Sequence, residues 1–177
     1  NGLTVRRLEL DGTSQDTALA GPYWRFHHNI DPGKTGWLAE LDALTGAVPN
    51  YENLLVEMTP EGQVIREWDF AAIIADHMRS QGDDPTAFVR LGYDWFHMNS
   101  AAYDPRDDSL VVSSRENFVI KIDYATGRID WILGDPTKHW YAFPSLRAKA
   151  LTLESGLWPI GQHALAYTLL AFFATTI

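Results

Sequence analysis

The sequence predicts an all-β fold: about two and a half blades of a β-propeller, interrupted by a short helical insert. Three observations carry this. Between Asn99 and Gly134, runs of alternating apolar residues are separated by tight turns, the pattern of an antiparallel meander. A shorter copy of that pattern lies upstream, between Leu54 and Trp68. Ahead of the two copies stand Phe26-His27-His28-Asn29 and Phe96-His97-Met98-Asn99, which share a Phe-His-x-Asn frame.

Taken in chain order, Leu3–Leu10 reads as an outer strand of a preceding unit. Trp37–Asp42 and Leu54–Met58 follow as strands. A Thr59-Pro60-Glu61-Gly62 turn leads into Val64–Trp68. Phe70–Gly82 carries Ile73, Ile74 and Met78 without strand alternation and predicts a helix. The second unit begins with Asn99–Asp104 and the Asp104-Pro105-Arg106-Asp107 turn. Asp108–Arg115 and Asn117–Asp123 come next, with Phe118, Ile120 and Ile122 on one face. Tyr124-Ala125-Thr126-Gly127 turns the chain into Arg128–Gly134. Pro136–Pro159 reads as a long excursion, after which Gln162-His163-Ala164-Leu165 opens a third unit. The blade units thus start near residues 27, 97 and 163 of one partial domain spanning 1–177, with inserts at about 70–90 and 136–159. These inserts account for a period longer than the ~40–50 residues of an ordinary blade. A propeller needs at least about four blades to close, so the chain is expected to be a segment of a longer protein. Its uncharged end, Ala164–Ile177, is shorter than the roughly 20 residues of a membrane span and reads as a strand cut off from its partners.

Composition narrows the functional classes. The 177 residues include 14 basic and 23 acidic side chains, a formal net charge of −9, which speaks against nucleic acid or an anionic membrane as partner. A small cationic pocket for an anionic substrate is compatible with that charge. A hydrophobic fraction of 46% excludes disorder. With no cysteine, disulfides, thiolate nucleophiles and iron–sulfur clusters are excluded together. The opening Asn1–Arg7 has no apolar stretch behind its charges and is not a secretory signal. Gly33-Lys34-Thr35 is not a phosphate-binding loop, because position 28, where that motif has its first glycine, is His28.

The candidate chemistry follows from the repeat. Residues at the same place in successive blades converge on the propeller axis, which brings His27, His97 and His163 to one opening. Arg115 ends the second strand of its unit, antiparallel to the first, and so returns to the same end. Three imidazoles and a guanidinium fit an anion pocket or a nucleophile site. A lone histidine beside a phenylalanine ordinarily serves the fold; repetition is what separates these three. Asn29 and Asn99 also fit turn or edge hydrogen bonds. His77 and His139 do not repeat and read as solvated. His27, His28, His97 and His163 are also possible imidazole ligands, but no pair has metal-ligand spacing and Arg115 would repel a cation, so no metal is assigned.

The residues Asp94–Ser100, continuing through Tyr103-Asp104-Pro105 and Asp107–Arg115, resemble the bacterial arylsulfate sulfotransferases. His27–Gly36 is similar to that family's upstream double-histidine segment and Gln162-His163 to its downstream histidine; the likeness covers Tyr23 to Leu165. It implies a six-bladed propeller of the bacterial periplasm. Such a protein moves a sulfuryl group from a phenolic sulfate ester to a phenol acceptor through a sulfohistidine, with no nucleotide sulfate donor and no cofactor. Carried over by residue, His163 is the nucleophile, and His97 and Arg115 bind the sulfuryl oxygens and assist transfer. Asn99 is a sulfate ligand, and His27 or His28 supplies the fourth position. The shared Phe-His-x-Asn frame favours His27. Members of the family can carry a disulfide loop in the stretch corresponding to Leu146–Ile160, which this cysteine-free chain lacks. No nucleic acid and no membrane span is expected, and a homo-oligomer is one way to cover the open sheet edges. Two other readings are a non-catalytic propeller segment binding a ligand or protein across its channel face, and a metal-dependent enzyme using the histidine ring.

Overall fold

The structure, a computed structural model, describes residues 3–45, 47–167 and 172–176. It is all-β, with two four-stranded antiparallel sheets as its body. The first holds β3 (Tyr23–Pro32), β4 (Trp37–Thr45), β5 (Val48–Met58) and β6 (Val64–Asp69), paired in chain order. The second holds β7 (Met98–Asp104), β8 (Ser109–Ser114), β9 (Val119–Asp123) and β10 (Ile129–Leu133), again in chain order. These are the two meanders that the alternation predicts. Two hairpins flank them: β1 (Leu3–Leu8) with β2 (Ser14–Leu19), and β11 (Gln162–Tyr167) with β12 (Phe172–Thr176).

One expectation about the ends is corrected and one strand is added. The Leu3–Leu10 run holds a strand, Leu3–Leu8, that pairs with β2; Ser14–Leu19 is too polar to announce a strand by periodicity. The apolar end is also paired, since β12 lies antiparallel to β11. Residues 168–171 and 177 of that tail lie outside the described residues.

The alternation of β4 and β5 decides how the sheets stack. Leu38 and Leu55 face a large core shared with the second sheet, while Ala39, Leu41, Leu54 and Val56 face a smaller one against β1–β2. With both faces covered, β5 and β8 read as nearly continuous buried runs. Helix α1 (Phe70–Ser80) packs into the larger core through Phe70, Ala71, Ile74, Ala75 and Met78. It begins where Asp69 accepts hydrogen bonds from the amides of Ala71 and Ala72, an N-cap that satisfies two otherwise orphaned donors. The Pro136–Pro159 excursion folds as a 3₁₀ turn at His139–Ala142 and a short helix α2 (Pro144–Arg147). It buries Trp140 and Leu146 in the same core.

The glycine-rich turn between β3 and β4 fastens one sheet to the other. Buried Glu57 accepts from the amides of Thr35 (2.5 Å) and Gly36 (2.8 Å), and from the hydroxyl of Tyr124 in the second sheet. Lys34 completes the clasp with an ion pair to Asp108 at 2.7 Å. A Cβ on Gly36 would meet the carbonyl oxygen of Met58 at 2.2 Å, so the close approach requires glycine.

Phe96 sits at the centre of the larger core. It is fully buried, stacks on Phe70 at 5.3 Å and meets Phe118 edge-on at 6.1 Å. Phe96→Ala is expected to cost about 3–5 kcal/mol, a large share of the roughly 5–15 kcal/mol that holds a domain folded. Urea unfolding checks this, and an unchanged midpoint would contradict the packing described.

The strands that open the three predicted units, β3, β7 and β11, are edge strands of their sheets. Both β3 and β11 lie against β7. The histidine-bearing edges therefore meet.

Candidate active site

Each of these three strands is bulged at or close to its histidine, the shift in β7 falling just after His97. The β3–β4 register shifts between His27 and Ile30, the β7–β8 register between Met98 and Ser100, and the β11–β12 register between Gln162 and Ala164. A bulge re-aims a side chain and is over-represented beside active sites. Backbone conformation adds to the effect. Four non-glycine residues among those described have positive φ, and three of them meet here: His28 (+38°), Glu52 (+50°) and His97 (+53°). Such conformations cost of order 1–3 kcal/mol each and persist only where surrounding structure imposes them.

The structure brings His28, His97 and His163 together. The ring of His28 lies 5.4 Å from that of His97 and 5.0 Å from that of His163, the second contact edge-on. The shared frame favours His27 for this place, but the ring contacts go to His28. The bulge and the left-handed backbone at His28 move the histidine that faces the others by one residue. His27 is held instead among carboxylates, with Nδ1 2.8 Å from Glu52 and Nε2 3.0 Å from Asp42.

Arg115 arrives as expected, at the end of β8. Its amide donates to the carbonyl of His97 at 3.0 Å, and its guanidinium Nη1 lies 3.5 Å from His97 Nε2. Its contact with Glu116 is longer, at 3.9 Å. The hydroxyl of Ser114 donates to the carbonyl of Phe96, and Asn117 donates to the carbonyl of Trp95 at 2.9 Å. The β8–β9 turn thereby fixes the segment that presents His97.

Asn99 is fully buried and donates its Nδ2 to the carbonyl of Gln162 at 2.7 Å; Gln162 in turn donates to the carbonyl of Ser114 at 2.7 Å. With the amide of Leu165 donating to the Ser100 hydroxyl at 3.0 Å, these bonds stitch β11 onto β7 and β8 on both sides of His163. Asn99 thus sits at the site with one of its two N–H donors bonded to the strand carrying His163. His77 and His139 are not simply solvated. His77 is half-buried with its ring 3.3 Å from the Ser145 carbonyl, and His139 packs on Phe143.

Three carboxylates that no sequence spacing announces complete the site. Glu52, nearly buried, lies 2.8 Å from His27 and 3.0 Å from the Nδ1 of His97. Asp94 is 2.6 Å from the same Nδ1. Asp42, fully buried, is shared by His27 and by Arg25 at 2.7 Å. The opening is therefore not bare cation, because carboxylates back the imidazoles. Asp42 and Glu52 share their strands with other acids and amides, among them buried Glu40, Asn53 and Glu57, so composition does not single them out.

These contacts sort the imidazoles by charge. Burial works to lower the pKa of His27, but Asp42 and Glu52 outweigh it and hold the ring at about 9. The bond to Glu52, with a smaller contribution from Asp94, lifts His97 to about 8 against burial. His28 moves the other way: burial and the neighbouring imidazoles lower its pKa, so it is neutral. Burial would raise the pKa of Glu52, yet its bonds to His27 and His97 hold it well below the usual carboxylate range.

Two donor sets have metal-ligand geometry. The polar atoms of His27, His28 and Glu52, and those of Glu52, Asp94 and His97, lie within 4.8 Å of one another. Each set is already joined through Glu52, and protons on His27 and His97 would have to leave before an ion bound. The donor set suits protons and an anion better than a cation.

An apolar cleft lies elsewhere. It encloses about 480 Å³ between β1–β2 and the Met58–Gly62 turn, walled by Val5, Ile30, Trp37 and Met58.

Comparison with known proteins gives the family. The sequence pattern of the arylsulfotransferase family matches residues 4–170. An arylsulfate sulfotransferase of Escherichia coli is 31% identical over 116 residues, which is 64% of this chain and 19% of that protein. One of Lelliottia amnigena is 40% identical over 49% of this chain and 19% of its own length. The chain thus spans about a fifth of the length of these curated relatives. The matched stretch contains every histidine, carboxylate and arginine of the site, and the chain belongs to the arylsulfotransferase family.

Proposed function

We propose that the protein transfers a sulfuryl group from a phenolic sulfate ester to a phenol at the His28–His97–His163 cluster, within an arc of a six-bladed propeller located in the periplasm. One observation carries this reading. Below a pH of about 8, His97 and Arg115 present two positive N–H groups 3.5 Å apart, with carboxylates on the Nδ1 side of His97. Two like charges that close repel each other unless an anion bridges them, and a sulfate ester supplies three oxygens able to do so.

The chemistry then follows from the charge pattern. A ring nitrogen of His163 attacks sulfur with its lone pair, and the S–O bond to the phenol breaks with its electron pair leaving on oxygen. Protonated His97 gives its proton to that departing phenolate, which leaves as a phenol. His97, now neutral, takes the proton of the incoming phenol as its oxygen attacks sulfur; the N–S bond breaks and His163 is free again. Proton transfer of this kind contributes roughly 10²–10⁴-fold. Arg115 holds the equatorial oxygens where charge spreads in the transition state. His28, kept neutral, hydrogen-bonds the sulfuryl group without repelling it from His163. Asn99 holds β11 in place through one of its two Nδ2 N–H groups.

The test is release of a coloured phenol from its sulfate ester in the presence of an acceptor phenol. Acceptor-dependent release that survives a chelator supports the reading. No release, or release abolished by chelation, contradicts it; the latter would point to the Glu52 donor sets as a metal centre.

A further inference from the structure

Glu52 lies at the end of no motif, yet it faces three of the histidines of the cluster. One carboxylate oxygen is 2.8 Å from the Nδ1 of His27, and the other is 3.0 Å from the Nδ1 of His97 and 3.9 Å from the Nε2 of His28. It comes from β5 of the first sheet, whereas His97 opens β7 of the second, so its contacts cross between the sheets. Its backbone has φ +50°, a conformation unfavourable to a glutamate, and its amide donates to Asp42 at 2.9 Å. That bond ties the strained residue to the acid on the other side of His27. Strain held in this way at a charged cluster is the signature of a residue placed for function.

We propose that Glu52 is a positioning residue: its charge, 3.0 Å from the Nδ1 of His97, acts beside Asp94, which accepts that ring's hydrogen bond at 2.6 Å, to hold the imidazolium with its Nε2 proton toward Arg115 and the substrate, and its other oxygen faces the Nδ1 of His27 at 2.8 Å behind His28. This rests on the sulfuryl-transfer reading for its catalytic consequence, but its geometry stands independently. The groups that face Glu52 are His27 and His28 on β3, Asp42 and Glu40 on β4, the latter with its pKa pushed up by burial, and His97 with Asp94 at the mouth of β7. Of these, Asp94 alone also reaches the Nδ1 of His97. Removing the charge of Glu52 therefore leaves His97 with one carboxylate in place of two.

The sign is direct. A neutral neighbour no longer favours the imidazolium, so Glu52→Gln lowers the titration midpoint of His97 from about 8 toward the ordinary 6.5. The expected shift is about one pH unit, read from the ring resonances of His97 by NMR. Turnover should follow, with the alkaline limb of kcat for phenol release moving down by the same amount and KM for the sulfate ester changing less than about twofold. Glu52→Asp, which keeps the charge but shortens its reach, is expected to place the midpoint between the two and to restore part of the limb. It also serves if the glutamine variant does not fold.

The outcomes separate the two claims. A lower midpoint for His97 with a matching shift in the kcat limb supports the proposal. Reduced turnover with the midpoint and limb unmoved overturns it, because Glu52 would then be only structural. If the wild-type protein releases no phenol, the sulfuryl-transfer reading fails, while the ring titration alone still decides whether Glu52 positions His97; an unmoved midpoint overturns that as well.

Discussion

His163→Ala is expected to reduce phenol release by roughly 10⁴-fold or more, the scale of loss when a group that forms a covalent intermediate is removed. The argument rests on geometry and charge. His27 and His97 are held protonated by carboxylates and lack a free electron pair at neutral pH. Among imidazoles carried by the three converging strands, His28 and His163 remain, 5.0 Å apart. His28 stands in a left-handed backbone between its neighbours, whereas His163 is presented on a strand bonded to β7 and β8 through Gln162 and Leu165. Folding should be little affected, because the bonds that place β11 run through Gln162, Asn99 and Ser100 and not through the ring. Steady-state kinetics with both a donor and an acceptor check this. Turnover within tenfold of the wild type would place the nucleophile elsewhere, with His28 the alternative.

The two adjacent histidines are expected to fail in opposite ways. His28→Ala removes a neutral group in contact with the other two rings, so kcat/KM should fall by about 10²-fold at nearly unchanged stability. His27→Ala uncovers fully buried Asp42 and nearly buried Glu52. Losing one partner of a buried ion pair typically costs 3–5 kcal/mol, and the low end, about 3 kcal/mol, applies because Arg25 and His97 still face these carboxylates. Urea unfolding set beside kinetics distinguishes them. If His27→Ala loses transfer at full stability while His28→Ala keeps it, the shared Phe-His-x-Asn frame gives the functional residue and the observed ring contacts do not.

That contrast also marks how far the sequence could be read. The second meander was legible because period-two alternation from Met98 to Leu133 is broken by turn residues at Asp104–Asp107 and Tyr124–Gly127. Helix α1 was legible for the complementary reason. Strand β2 escaped because Ser-Gln-Asp-Thr offers no apolar face, and the pairing of β12 escaped because a uniformly apolar run carries no register. At the site, His97, His163 and Arg115 could be grouped from the repeat alone. The choice between His27 and His28 could not, because a bulge changes which of two neighbours faces inward, and a one-residue slip exchanges faces. Glu52, Asp42 and Asp94 were invisible to motif spacing. They belong to different elements and act on histidines tens of residues away, as the contact from Glu52 to His97 does across the two sheets. Even a buried acid in these strands is no mark of the site, because β4 and β5 also bury Glu40 and Glu57.

The folding of this region and its chemistry are linked through the segment from Trp95 to Asn99. Phe96 anchors it in the larger core, Asn117 and Ser114 hold its carbonyls, and His97 emerges with a left-handed backbone directly after. Rigid packing on one side thereby pays for strain on the other.

The central claim, that the sulfuryl group passes through a histidine of β11, is tested most directly by trapping it. The protein is mixed with a phenolic sulfate ester in the absence of acceptor, quenched at alkaline pH and digested for mass spectrometry. The account predicts one added sulfuryl group on the peptide containing His163, lost when a phenol is supplied before quenching and absent from His163→Ala. A sulfuryl group found on another residue, or retained in His163→Ala, would contradict it.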